Sequence, residues 1–495
     1  MSAAAWWDVE PKFNGLTYTD EFCGAGGSSI GMTLAGLRLV VALNHDARAI
    51  ATHSANFPDA DHREVDVNRL DMRTIPRTDV LWASPICTEL SPSGAKAGPK
   101  KQTRGQIELL EHGPVKQETF ERTRATFHDV IRATEVHRYE AIIVENVPEV
   151  AWKWELFDWW VEGMCRLKPG YNVQFVSVSS AHVGGEDNPH APQWRNRLYI
   201  VFTKAGVPLP DVTPRPLALC TECGEDVRAV QTWKNPRKRK IGKYREQYVY
   251  RCPNGLCRHA IVEPYVRPAL AAIDLSDLGE RIGDREALGK KQLVPNTMAR
   301  IRLGMQMFAY PGAALVPAGG TWNTRPTSIA EPMCTRLANE KGFEALAVAP
   351  PFLTILRNNQ VAASLDDPLS TITTSGHHHY LTVPPGQLPT LAPDAFVIPY
   401  RKGRPRSVHE PLHTLATKDS GAVIQPAIAI EDVRYRMLKP RENLRGQRFP
   451  DTYVVTGNEG EQTMQAGNAV SSNVAQWLGA QVAAVLCGRR PGAAA

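Results

Sequence analysis

Five short apolar runs, at 16–22, 39–43, 80–83, 141–144 and 173–178, alternate with stretches of helical periodicity at 31–37, 47–56, 119–136 and 154–167. No other feature constrains the fold as tightly. Apolar runs of this length suit strands buried on both faces, and the helices between them supply the crossovers that parallel strands need. The first two hundred residues are therefore expected to form an α/β doubly wound sheet with helices on both faces. A further run at 198–202 lies close behind 173–178 and is expected to be an antiparallel last strand.

Composition narrows the class. A chain of 495 residues exceeds one ordinary core, so two or three domains are expected. The 43% hydrophobic and 22% charged fractions exclude a mainly disordered or fibrous chain. No apolar run reaches the 18 or so residues that span a bilayer, and residues 1–13 show no secretory pattern. A cytoplasmic location, no membrane partner and a monomeric state are the expectations. Nine cysteines without an export signal point to reduced thiols or metal ligands rather than a disulfide framework.

The texture changes near 205. The expected domains are 1–205, then a smaller loop-rich β domain at 206–430, then 431–495 returning to the first. The last part carries an amphipathic helix with Val474, Trp477, Leu478, Val482 and Val485 on one face. Within the middle domain a phrase recurs: Ser328 to Pro332 with Thr335, Ser364 to Pro368 with Thr371, and Ser407 to Pro411 with Thr414. Each copy reads as a turn entering a short strand. His377, His378 and His379 are read as surface or DNA-facing.

Several residue sets suit chemistry. Phe22 to Gly27 follows the first strand and opens a helix, as glycine-rich cofactor turns do. Asn44, His45 and Asp46 end the second strand, and Asp66 lies near the end of the third. Cys87 follows the fourth strand, where a thiol on a loop suits a nucleophile. Glu145 and Asn146 end the fifth strand at the same edge. Arg195 and Arg197 share one face of an extended segment.

A cysteine set lies at 215–262. Cys220 and Cys223 precede Cys252 and Cys257 by a spacer of 28 residues, a pattern that suits a structural zinc ion in a ribbon-like module. His259 is a weaker substitute ligand. Residues 220–259 hold ten Lys/Arg against four acids, which accounts for the whole net charge of +6. Lys234, Arg237, Lys238, Arg239 and Lys240 form a basic loop suited to phosphates of a nucleic acid.

Taken together and in order, these motifs resemble the DNA cytosine-5 methyltransferases. The resemblance rests on Phe22–Gly27, the Cys87 loop with Ser91, Glu145-Asn146-Val147, Gln193-x-Arg195-x-Arg197, Arg436-x-Leu438-x-x-Arg441-Glu442 and Gln465 to Val470. It implies a Rossmann-like fold binding S-adenosylmethionine, with double-stranded DNA as partner. It further implies that the Cys87 thiolate adds to carbon 6 of a flipped-out cytosine, so that carbon 5 takes the methyl group. Glu145 would hold the base's amino group and support protonation at ring nitrogen 3. Arg195 and Arg197 would fix the loop and Glu145 and bind the base carbonyl, and Ser91 would lie beside DNA. Phe22 would pack on adenine, Gly24, Gly26 and Gly27 would admit the methionine part, and Asp66 would meet the adenine amino group. Asn468 and Val470 would close the pocket. The strands of 260–430 would read base edges as a target recognition domain.

The sequence departs from the family pattern at Ile86 and Thr88, which flank Cys87, and at Asn44 and His45 in the ribose position. A different carbon-5 modification therefore stays open, as does a non-catalytic DNA-binding regulator on the same fold. The DNA site and any cognate restriction endonuclease stay open too.

Overall fold

The computed structural model describes residues 12–86, 115–272 and 434–488, most of 274–298, and short strands between 313 and 425. Within 115–124 and 313–425 only the course of the backbone is described. Cys87 and Ser91 lie outside the described residues.

Seven strands form one sheet: β1 (Thr17–Glu21), β2 (Arg38–Asn44), β3 (Asp61–Glu64), β4 (Val80–Ala83), β5 (Ala141–Asn146), β6 (Tyr171–Ser179) and β7 (Asn196–Lys204). Their order is β3-β2-β1-β4-β5-β7-β6. The pairs from β3 to β5 are parallel, and β7 runs antiparallel to both β5 and β6. The expected antiparallel strand is therefore present, inserted between β5 and β6. Strand β3 is the strand expected to end near Asp66, although its residues, Asp61 to Glu64, carry no apolar signal. An edge strand armed with charge resists pairing with another chain.

Helices α1 (Gly27–Leu34), α2 (Ala47–Asn56), α3 (Val115–His137), α4 (Val150–Lys153) and α5 (Phe157–Arg166) connect the strands. Two apolar layers sandwich the sheet. In α5, Phe157, Trp160, Val161 and Met164 are buried at i, i+3, i+4 and i+7. Trp160 donates its indole N–H to the Phe127 carbonyl at 2.7 Å, so the ring is buried without an orphan donor. Later in the chain come α6 (Pro440–Gly446), α7 (Glu459–Asn468) and α8 (Ser472–Cys487). Helix α8 buries Val474, Leu478, Val482 and Leu486. Trp477 and Val485, expected on that face, are half-buried at its margin.

The chain gathers into two compact units: Met1–Ala191 with Arg195–Val266 and Gln447–Ala495, and Pro192–Trp194 with Arg267–Gly446. This division differs from boundaries at 205 and 431. Residues 206–266 pack with the sheet, and the chain up to Gly446 belongs to the second unit. In the first unit, β8 (Leu217–Cys220) pairs with β9 (Glu225–Arg228), and β10 (Val230–Trp233), β11 (Tyr248–Arg251) and β12 (Ile261–Val262) form a small sheet.

Among its described residues the second unit holds an eight-stranded and a three-stranded sheet, the β content expected there. Short strands end at Ser328, Ser364 and Ser407. Each is the first residue of a repeated phrase, and the rest of each phrase lies outside the described residues. The Arg436/Glu442 motif explains itself structurally. Arg436 grips Glu442 with two nitrogens at 2.8 and 2.9 Å, and Lys439 donates its backbone N–H to the same carboxylate at 2.7 Å. A fork-to-carboxylate pair of this kind fixes the entry to α6. No described helix is long and apolar enough to cross a membrane.

Candidate active site

A cleft opens at the carboxyl ends of β1 to β4, where the strand order reverses between β1 and β4. Doubly wound sheets bind ligands at such a switch point. The cleft measures ≈ 340 Å³ counted to its open mouth and is lined by Phe22, His45, Asp66, Asn68, Thr126 and Asp129, among others. Three of these, Phe22, His45 and Asp66, were expected at a cofactor site. Asn68, Thr126 and Asp129 were not, because nothing in the order of motifs marks them. The helical periodicity of α3 was the one available hint for the last two.

Phe22 sits at φ 64°, a left-handed conformation that is costly for a bulky residue. It is held there by the turn that follows. Cys23 donates its N–H to the Leu43 carbonyl at 3.1 Å, and Gly26 to the Cys23 carbonyl at 3.0 Å. Asp66 accepts the Asn68 N–H at 3.3 Å and so begins the short turn beside the cleft. Asp129 accepts from Arg132 at 2.7 Å and from the Asn68 amide. Burial still holds the Asp129 carboxyl above its ordinary range. Asn44 turns inward and accepts the Asp46 N–H at 2.9 Å, which starts α2 rather than lining the cleft.

The acid and arginine at the sheet edge come together as expected. Glu145 ends β5, opposite Tyr199 of β7, and Arg197 lies two residues back on β7. Arg197 Nε stands 2.8 Å from Glu145 Oε1, with both side chains only 10% exposed. The approach is an ion pair rather than an aligned hydrogen bond, and Oε1 is a buried acceptor with no hydrogen-bond donor. A buried, charged acceptor with spare capacity suits a ligand's amino group. Arg195 lies on the same face. It donates to the Ala469 carbonyl at 2.7 Å and the Gly467 carbonyl at 3.4 Å, tying down the C-terminal end of α7.

The approach to Cys87 is anchored twice. Asn146 donates its amide to the Pro85 carbonyl at 3.0 Å, and Ile86 donates its N–H to Thr126 Oγ1 at 3.2 Å. Residue 86 therefore leaves the sheet beside both Glu145 and the cleft.

The glycines divide in function. A Cβ on Gly24, which has φ 52°, would meet only the Phe22 carbonyl oxygen, at 4.0 Å, so this position faces open space. A Cβ on Gly26 would lie 2.3 Å from the Tyr453 hydroxyl, and one on Gly27 would lie 2.0 Å from the Val470 carbonyl oxygen. Those two glycines admit the protein's own C-terminal segment. Val470 is buried against α1, while Asn468 is exposed, and neither lines the cleft.

Behind this turn lies a buried polar chain that sequence reading missed. Ser28 and Ser29 both donate to Asp20 Oδ2 at 2.6 Å, and Ser29 Oγ lies 3.0 Å from His53 Nε2. His53 Nδ1 in turn lies 2.8 Å from His62 Nε2. Burial pushes the Asp20 carboxyl up to about 7 and the His53 imidazole down to about 3. The carboxyl binds the first turn of α1 to the end of β1.

The four cysteines converge: the sulfurs of Cys220, Cys223, Cys252 and Cys257 all lie within 4.8 Å of one another. The Cys220–Cys257 and Cys223–Cys252 separations are both 3.9 Å. That is far beyond the roughly 2.05 Å of a disulfide. It matches the edge of about 3.8 Å expected for a tetrahedron of thiolates roughly 2.3 Å from a central ion. Asn254 donates from its backbone to Cys252 Sγ at 3.4 Å and from its amide to Cys223 Sγ at 3.8 Å, as outer partners of a metal–thiolate centre do. The cluster can hold a metal ion. His259 instead faces the Cys252 carbonyl at 3.1 Å.

The basic loop is only partly free for a polyanion. Lys234 donates to the Arg245 carbonyl at 2.5 Å. Arg239 pairs with Asp158 and lies 5.2 Å from the Phe175 ring centre. Arg237, Lys238 and Lys240 are exposed.

Sheet order, switch-point cleft and edge acid together define the Rossmann-like methyltransferase fold. The sequence profile of the C-5 cytosine-specific DNA methylases matches residues 16–245 and 392–484, more than half of the chain, and the chain belongs to that family. Among curated relatives, the type II methyltransferase M.Eco47II of Escherichia coli is 30% identical over 145 residues, covering 28% of this chain and 30% of that protein. M.HhaI of Haemophilus parahaemolyticus is 27% identical over 143 residues, covering 29% and 37%. The matches thus span about a third of these relatives' length. The solved structure of Spodoptera frugiperda DNMT2 aligns over 94% of this chain and 99% of its own, at 12% identity and TM-score 0.45.

Proposed function

We propose that this protein is a DNA methyltransferase that moves the methyl group of S-adenosylmethionine to carbon 5 of a cytosine flipped out of duplex DNA. The observation that carries the reading is the buried Glu145–Arg197 pair, set at the same sheet edge as the Phe22–Asp66 cleft, with Ile86 anchored alongside. An aromatic face and two carboxylates at the switch point fit an adenosine-bearing cofactor, which supplies an electrophilic methyl group when bound. Phe22 would pack on its base, and Asp66 would accept from an amino or hydroxyl group.

The chain's own residues then carry the chemistry on the base. Cys87 sulfur bonds to carbon 6, and the electron pair of the 5,6 double bond makes carbon 5 nucleophilic. Glu145 accepts the base's amino N–H and supports a proton on ring nitrogen 3, which offsets the charge developing in the ring. Arg197 holds that carboxylate in place. After methylation the carbon-5 proton leaves, the sulfur–carbon bond breaks and the aromatic ring is restored. Arg237, Lys238 and Lys240 would meet phosphates, and the strands of 267–430 would read base edges.

In the test, tritium transfer from labelled cofactor to DNA is compared between the wild type and Cys87→Ala. Wild-type incorporation with no signal above background from the mutant is expected. Equal incorporation would remove Cys87 from its role. Mass spectrometry of nucleosides from the DNA of an expressing host should show 5-methylcytosine. Another carbon-5 adduct would redirect the reading to a different donor, and unmodified DNA would favour a non-catalytic regulator. Zinc is the metal that four thiolates at this spacing suit. Metal analysis of freshly purified, reduced protein should find one zinc per chain, and a value well below one would discard the assignment.

A further inference from the structure

The cysteine module is fastened to the two chain segments that carry Glu145 and Arg197. Its long loop between β10 and β11 turns inward at residues 241–244. Ile241 is buried in the apolar layer beneath the sheet. Gly242 donates its N–H to Ser177 Oγ of β6 at 3.1 Å, and Gln231 of β10 donates to the Ser177 carbonyl at 2.7 Å. Lys243 Nζ lies 2.5 Å from Glu149 Oε1, an ion pair whose carboxylate is 6% exposed. Tyr244 donates its backbone N–H to Asn196 Oδ1 at 3.1 Å.

The two last contacts stand in sequence positions that matter. Glu149 follows Glu145-Asn146-Val147-Pro148 and opens α4. Asn196 lies between Arg195 and Arg197. Because side chains alternate along a strand, Asn196 is held on the face opposite the two arginines. Consecutive residues of one loop thus grasp the turn after β5 and the start of β7. Aromatic packing stiffens that loop: the His182 ring centre lies 4.4 Å from that of Tyr244 and 5.1 Å from that of Tyr250, edge to face in both cases. Tyr250 leads directly to Cys252.

We propose that the cysteine-centred module is a brace for the catalytic pair, with Lys243 and Tyr244 as positioning residues that act through Glu149 and Asn196. The ion bound by the four thiols would then set the rigidity of the Glu145–Arg197 geometry without touching DNA or cofactor. This rests on the methyltransferase reading for its kinetic consequence, but its structural consequence stands apart from any activity.

Hydrogen exchange on the full chain reads the brace directly. In Lys243→Gln, peptides spanning 144–153 and 195–204 should exchange faster, while those of β1 to β3 keep wild-type protection. Cys252→Ser should loosen the same two segments. Unchanged exchange there in both variants, loosening confined to 214–266, or equal loosening throughout β1 to β3 would each overturn the proposal. If the chain transfers methyl groups, Lys243→Gln should lower kcat about tenfold to a hundredfold, the usual cost of a misplaced reacting group, with KM for the cofactor unchanged. Lys243→Arg should restore most of the rate. A failed transfer assay with the expected exchange pattern would sink the methyltransferase reading and leave the brace standing. Wild-type kcat in Lys243→Gln would overturn the brace.

Discussion

Glu145→Gln should slow methyl transfer by about 10²–10⁴-fold, the range spanned by a positioned acid or base. The substitution keeps the side chain's size and removes its charge, so Arg197 loses its buried partner at 2.8 Å. The base's amino group would meet a neutral oxygen, and protonation of the ring nitrogen would lose its support. Single-turnover kinetics at saturating DNA and cofactor would check this, with DNA affinity measured in parallel. A wild-type rate would exclude Glu145 from the reaction. Arg197→Met should act differently. It leaves a carboxylate buried without its cation, a change that costs about 3–5 kcal/mol in folded proteins, and so should lower stability as well as rate.

Gly27→Ala should be the most damaging single-methyl change in the molecule's core. The added carbon would sit 2.0 Å from the Val470 carbonyl oxygen and 3.2 Å from the Phe449 ring. Neither backbone can yield without parting α1 from the segment that leads into α8. Overpacking of this kind costs about 1–3 kcal/mol when neighbours can adjust, and backbone contact puts this case at the upper end, about 3 kcal/mol. Gly31→Ala should behave similarly, since its Cβ would lie 2.4 Å from the Ser472 oxygen and 2.5 Å from the Ala475 methyl. Gly185→Ala is the control: nothing lies within 4 Å of its added methyl, and a change within about 0.5 kcal/mol is expected. Denaturant midpoints of the three variants would decide the matter. A stable Gly27→Ala protein would mean that the close contact between α1 and the C-terminal segment is not a feature of the folded state.

The same contact alters how the glycine-rich turn is understood. By sequence it reads as a surface for a cofactor, since glycines there let a ligand approach the backbone. Gly24 keeps that role open. Gly26 and Gly27 are spoken for by Tyr453 and Val470, more than four hundred residues away along the chain. A glycine reveals that something comes close, not what does.

Much of this protein was nevertheless written in its linear order. Apolar runs of four to seven residues and the helical periods between them determined the doubly wound sheet, because burial on both faces permits little else. The motif order determined the family, and the paired cysteine spacings determined a cluster fit for an ion, because both depend on local geometry that neighbours in sequence can specify. The tertiary structure alone decided that β7 slots between β5 and β6, and that charged β3 joins the edge. It alone showed that Asn68, Thr126 and Asp129 meet Phe22 in one cleft. It also took the cysteine module out of the second unit, set Arg239, read as a cation for phosphate, against Asp158, and set Lys243 against Glu149. The reason is common to all of these: a charge or a methyl-sized gap is blind to sequence distance, and its partner is chosen by whatever the folded chain brings within a few ångströms.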